Sequence, residues 1–358
     1  MELFERRFLD LSVSDKDLVY QSVGPSNKLI KKIGNYIFNI YSSLPICKIF
    51  GKDSIKYVAD LSTRYALWTL LEMKTNKRAI KNFSLWLSII WLIDGVFDKY
   101  QKKISSEYKR QVVSIISNLY YPNDKSKSNY NKDELDKDDS PKSSELLTYL
   151  SDTVEIVYSK YMEKISKYRN TAAYSQIEVW TGVYLDTLPT SDTITKIDKL
   201  DEYEKWRLNS GAIMCVIWHY IMFKNVEHVS IQDIKLFEKA SIVISYHNDI
   251  LSYNRDKKDG TPNLVNILGN GMMNEFELFG NAIDYVNDYY KKLRKSIDQH
   301  NEQILNILLS VLEGSYNWTN NEARYKVGLR LVQLFKDGKI NEFDIILKGE
   351  DHTPGDPI

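Results

Sequence analysis

Asn248, Ser252 and Asp256 stand four residues apart in the segment IVISYHNDILSYNRDKKDG. On a helix, successive members of such a set drift only about 40° around the axis, so a carboxamide, a hydroxyl and a carboxylate form one stripe. All three present oxygen. An oxygen-only set with one formal charge suits Mg2+ and does not suit zinc. The alternative is an exposed polar helix face, but the apolar run from Ile242 to Tyr246 argues for a core position. Arg255, next to the last member, has the fork geometry to contact a phosphate. A second acidic feature closes the run LWLSIIWLIDGVFDKY, where Asp94 and Asp98 lie one helical turn apart. Two carboxylates beside Trp91 and Phe97 repel each other, are poorly hydrated and need a cation. Magnesium, often held by one or two carboxylates together with substrate phosphates, meets that need. The other reading of this pair is a helix that has reached the surface, with both acids solvated.

These residues need helices to position them, and the chain is patterned to supply helices. Apolar residues recur at helical spacing over Ile104 to Tyr120, Leu146 to Tyr168, Phe237 to Tyr253 and Phe276 to Leu312. Proline (8) and glycine (15) are sparse, and no hairpin series or repeated strand–helix unit breaks the pattern. The expectation is an all-α chain of ten or so long helices. It forms one domain over residues 1–346, with a loop at 121–145 and a flexible tail at 347–358. The loop is charged and Ser/Asn/Lys/Asp-rich, too poor in apolar residues to offset its ordering entropy.

Composition excludes several classes. Lys+Arg and Asp+Glu are equal at 48 each, so the chain lacks the basic surplus of a nucleic-acid binder. Only two cysteines occur, Cys47 and Cys215, both in apolar stretches. That argues against a disulfide framework or thiolate metal site and fits a cytoplasmic protein. The N-terminus, MELFERRFLDLSVSDKD, mixes acids with bases and does not read as a signal or transit peptide. No uninterrupted run of about 18 apolar residues suggests a transmembrane segment. There is no H-E-x-x-H, G-x-S-x-G or P-loop.

The pattern N-D-x-x-S-x-x-x-D, with a basic residue before the last acid, resembles the metal-binding triad of class I terpene synthases. D-G-V-F-D resembles that family's aspartate-rich D-D-x-x-D, with Gly95 in place of the second aspartate and Asp256 in place of the commoner glutamate. In DEYEKWRLNSGAIM, Arg207 matches the family's diphosphate-sensing arginine. Ser210 and Gly211 match the segment that ends in its effector position at a helix break. YNWTNNEARY is similar to the C-terminal R-Y pair with its preceding tryptophan, here Trp318, Arg324 and Tyr325.

The resemblance implies a helical barrel around a central apolar cavity, the two acidic motifs on opposite walls, and a monomer or homodimer. It implies three Mg2+ ions, with Mn2+ able to substitute, bound by Asp94, Asp98, Asn248, Ser252 and Asp256. A prenyl diphosphate would be bound by Arg207, Arg255, Arg324 and Tyr325, with Phe83, Trp91, Phe97 and Trp318 along its apolar part. Farnesyl diphosphate is the first expectation and geranylgeranyl diphosphate the next. Breaking the C–O bond would leave an allylic cation to cyclise, with Arg207, Gly211, Arg324 and Tyr325 in the catalytic roles. A chain-elongating prenyl diphosphate synthase would carry a second D-D-x-x-D where this chain has N-S-D. A non-catalytic helical binding protein on the same fold would have no use for an intact triad.

Overall fold

The computed structural model describes residues 26–70, 73, 76–100, 103–120, 141–191, 197–269, 274–297 and 300–347. Among these residues every regular element is helical. The segment 121–140 and the residues from 348 onward, expected to be loop and tail, lie outside the described residues, as does the N-terminal stretch. Contacts divide the chain into two compact units.

One unit contains residues 26–191 and 218–227. Its helices are α1 (Asn27–Tyr41), α2 (Ile46–Thr69), α3 (Lys77–Tyr100), α4 (Ser106–Tyr120), α5 (Pro141–Ile165) and α6 (Ala172–Asp186). Helix α3 packs on α1, α2 and α5. By length and composition it could cross a membrane, but 78% of its apolar window is buried inside the protein. Burial on nearly every side explains why it is hydrophobic all round. Helix α5 corrects the expected loop boundary: residues 141–145 are helical, not loop. Pro141 opens the helix, where its fixed φ is suited to the first turn and its missing N–H costs nothing.

The second unit contains residues 197–217 and 228–347. Its helices are α7 (Leu200–Ser210), the first turn of α8 (Ile213–Lys224), α9 (Ile231–Asp259), α10 (Leu264–Ile267), α11 (Glu275–Lys295), α12 (Glu302–Asn321), α13 (Lys326–Lys336) and α14 (Ile340–Leu347). The apolar stretch from Phe276 to Leu312 is two helices rather than one. Asn301 caps the second by accepting from the Gln303 amide at 2.7 Å. The expected tail boundary at 347 falls on the last residue of α14, where Leu347 is buried.

Helix α9 is the axis of this unit, contacting α7, α10, α11, α12 and α13. Its start is fixed by a capping box between Ser230 and Asp233, and its end by Gly260 in the left-handed conformation at φ 70°. Between those ends its buried residues include Ser241, Ser245, His247, Asp249, Ser252 and Asp256. That many buried polar groups on one helix need partners and point to a site.

Helix α13 crosses α9 at Gly328. A Cβ built there would stand 1.9 Å from the Leu251 carbonyl oxygen. Gly328→Ala is therefore expected to force the two helices apart and to cost about 1–3 kcal/mol. A fall of several degrees in the melting temperature would register this, and an unchanged value would show the crossing to be loose.

Candidate metal and diphosphate site

The three triad residues occupy successive turns of α9. Ser252 and Asp256 are buried, and Asn248 is half-buried. The Ser252 hydroxyl donates to Asp256 Oδ2 at 2.5 Å. Asp256 Oδ1 accepts from Arg255 through Nη2 at 3.2 Å and Nε at 3.3 Å.

Asn248 ties three sequence signals together. Its Oδ1 accepts from Arg207 Nη2 at 2.9 Å, and its Nδ2 donates to the Tyr325 hydroxyl at 2.6 Å. Those two partners fix the orientation of the amide, leaving the second lone pair of Oδ1 for another ligand. Tyr325 is buried and takes the edge of Trp318, their ring centres 5.4 Å apart. Arg324 lies over the Tyr325 ring at 5.3 Å.

Arg207 sits in the last turn of α7, the favourable end of the helix dipole for a cation. Its Nη2 also pairs with Asp249 Oδ1 at 2.7 Å, and Asp249 Oδ2 accepts from the Tyr203 hydroxyl at 2.6 Å. Burial opposes the Arg207 charge, but Asp249 beside it holds the guanidinium above the ordinary arginine range. Burial pushes the Asp249 carboxyl up to about 6, while Arg207 and Tyr203 pull it down. At 2.7 Å the pair is the ionic one. Burial and then the Asp249 charge raise the Tyr203 hydroxyl, so it stays protonated and donates.

The expected helix break after Arg207 is present, with Gly211 as the residue at which α7 ends. Gly211 has right-handed helical angles (φ −75°, ψ −15°), and the positive φ, 54°, belongs to Ala212. Gly211 serves close approach instead: a Cβ there would stand 2.4 Å from the Ser245 hydroxyl.

Buried polar atoms of this unit without a hydrogen-bond partner include Arg207 Nε, Arg324 Nε and the hydroxyls of Ser210 and Ser245. Of these, the two arginine nitrogens are the charged donors that an acceptor-rich anion could engage. The triad's amide, hydroxyl and carboxylate oxygens fit a hard divalent cation.

In the other unit, Asp94 is half-buried and accepts from the Tyr184 hydroxyl at 2.7 Å, whereas Asp98 is exposed. Trp91 and Gly95 line a small apolar hollow with Phe50, Ser54, Ile55, Val58 and Leu92. Phe83 is fully buried, stacked on Trp86 at 6.0 Å and against His219 at 5.0 Å. Phe97 is fully buried and stacked on Tyr108 at 6.3 Å.

Sequence reasoning missed Asp249, Tyr203, Asn263 and Tyr184. Only Asp249 left a trace, as the second letter of the N-D pair. Asn263 donates to Asp256 Oδ2 at 2.9 Å from beyond the end of α9.

The site thus joins a carboxamide, a hydroxyl and a carboxylate on α9 to half-buried arginines, an arrangement compatible with a divalent cation and a phosphate-bearing ligand. The chain belongs to terpene synthase family 2: the family's C-terminal metal-binding model matches residues 85–296, more than half the chain. This range includes both acidic motifs and Arg207, and ends before Trp318, Arg324 and Tyr325. The protein is thus a terpene synthase with an all-α fold. No curated protein sequence matches the chain. Among solved structures it is similar to variants of the SVS_A2 protein from ancestral sequence reconstruction. One gives a TM-score of 0.58 at 14% identity, covering 84% of each chain. Another gives 0.57 at 13% identity, covering 84% of this chain and 86% of the other.

Proposed function

We propose that this terpene synthase ionises a prenyl diphosphate in the presence of Mg2+ and cyclises the resulting carbocation, releasing diphosphate. Farnesyl diphosphate is the favoured substrate and geranylgeranyl diphosphate the next. The observation that carries this reading is the chain of contacts from Arg207 through Asn248 to Tyr325, beside Ser252 and Asp256 on the same helix.

Asn248, Ser252 and Asp256 hold divalent metal in this proposal, as does Asp94 in the other unit, with Asp98 in a lesser role. Three ions are expected, and Mn2+ can replace Mg2+. The metal supplies positive charge to the diphosphate as it leaves. Arg207, Arg255 and Arg324 bind diphosphate oxygens, and their placement before reaction is what lowers the barrier. Tyr325 orients Asn248 and closes over the leaving group. Gly211, through its contact with Ser245, keeps the end of α7 close to α9. Trp91, Trp318, Phe83 and Phe97 supply aromatic surface for the hydrocarbon chain, where a ring face stabilises a cation by about 0.5–2 kcal/mol. The two buried free thiols support a reducing, cytosolic setting.

The test is incubation of pure enzyme and Mg2+ with the C10, C15 and C20 prenyl diphosphates, with products identified by gas chromatography–mass spectrometry. A cyclic hydrocarbon or alcohol from one of them supports the proposal. A longer prenyl diphosphate, or no Mg2+-dependent consumption, rejects it. A graded effect is expected at the aspartates. Asp98 is exposed, so Asp98→Asn should lower turnover by only about tenfold, or roughly 1.4 kcal/mol in the barrier. Asp94→Asn should lower it further, and the reverse order in kcat would reassign the ligand.

A further inference from the structure

We infer that Asn263 is a positioning residue for the metal-binding carboxylate of Asp256. The inference rests on the functional reading above, in which Asp256 is a metal ligand.

The chain leaves α9 through Gly260, with the Thr261 amide donating to the Asp256 carbonyl at 2.9 Å. This turn carries Asn263 back against the last turns of the helix. Asn263 is fully buried, and its whole amide is engaged. Nδ2 donates to the Asp249 carbonyl at 2.9 Å and to Asp256 Oδ2 at 2.9 Å. Oδ1 accepts from the Val265 amide at 3.0 Å and so caps α10. With both hydrogens and the oxygen committed, the side chain cannot turn without losing a buried bond. Pro262 stiffens the approach to it from the N-terminal side.

The consequence falls on Asp256. Its Oδ2 receives Ser252 and Asn263, while its Oδ1 receives Arg255, a side chain near the surface. Ser252 is itself assigned to the metal, and Arg255 to phosphate. Asn263 is the partner of this carboxylate that has no other task in the reaction, and it grips one oxygen from the protein interior. It therefore sets the plane of the carboxylate before and after metal arrives. Groups that orient a ligand in this way govern metal affinity by about 10–100-fold.

The test uses the full chain with Mn2+ and inorganic pyrophosphate, with Mn2+ affinity read by isothermal titration calorimetry and the melting temperature taken without metal. Two variants serve. Asn263→Ser keeps a capping oxygen for α10 but is too short to reach Asp256. Asn263→Asp keeps the shape and the cap but turns the donor into an acceptor. Both should weaken Mn2+ by about 10–100-fold and raise the Mg2+ concentration needed for half-maximal rate, with kcat at saturating Mg2+ largely recovered. Ser230→Ala, which loosens the far end of α9, should lower the melting temperature and leave Mn2+ affinity unchanged.

Wild-type affinity in either foldable Asn263 variant overturns the inference. So does an equal loss of affinity in Ser230→Ala, which would make the effect one of general loosening. Absence of Mn2+ binding by the wild type with pyrophosphate would instead remove the functional reading itself.

Discussion

Asn248→Ala is expected to abolish nearly all turnover, by about 1000-fold or more, equivalent to roughly 4 kcal/mol in the barrier. Three losses coincide at one side chain. The triad loses an oxygen ligand. Arg207 loses the acceptor that holds its Nη2 at 2.9 Å, and Tyr325 loses the donor at 2.6 Å that fixes its hydroxyl. These groups act as a unit, so the effect should exceed that of Tyr325→Phe and Asp98→Asn. The fold should survive, because Asn248 is only half-buried and the change removes no apolar side chain. The measurements are kcat with the accepted prenyl diphosphate at saturating Mg2+ and the melting temperature of the same preparation. Full activity would refute the assignment of Asn248 to metal.

Asp249→Ala should act mainly on stability, and severely. The Asp249 side chain is 1% exposed and that of Arg207 13%, so removing the acid leaves a largely buried guanidinium with no opposite charge at contact distance among the described residues. Breaking a buried pair from one side costs about 3–5 kcal/mol. The Tyr203 hydroxyl loses its acceptor in the same stroke. Tyr203→Phe, which deletes a single neutral donor, should cost only about 1 kcal/mol. Urea unfolding of both variants against wild type would check the ratio. Equal midpoints would mean that water or another group takes over from Asp249. Any Asp249→Ala protein that folds should also turn over slowly, since Arg207 would no longer be held against Asn248.

The triad was legible in the sequence because four-residue steps on a helix keep side chains on one face, a property of local geometry alone. The middle of α9 was legible for the same reason, through the helical spacing from Phe237 to Tyr253, whereas its ends at the Ser230–Asp233 capping box and at Gly260 emerged only from the fold. Boundaries set by single residues were harder. The polar composition before Leu146 hid the helix that Pro141 opens, and the polar residues around His300 did not mark the division between α11 and α12. The supporting partners were illegible for a different reason. Tyr184 reaches Asp94 across 90 positions of sequence, and Tyr203 reaches Asp249 across 46. Nothing about a tyrosine among 25 distinguishes one that meets a carboxylate from one that fills a core. Asn263 lies beyond a turn whose path only the folded backbone reveals.

The corner between α7 and α8 is made by an alanine in a backbone shape that glycine adopts without effort. Glycine would relieve the crowding around the methyl group but would also give the unfolded chain more shapes and the corner more play. Two turns of helix hang from that corner, one carrying Arg207 and ending at Ser210 and the other opening with Ile213. The protein thus accepts a standing penalty at Ala212 in return for stiffness, which steadies Arg207 in its contacts with Asn248 and Asp249.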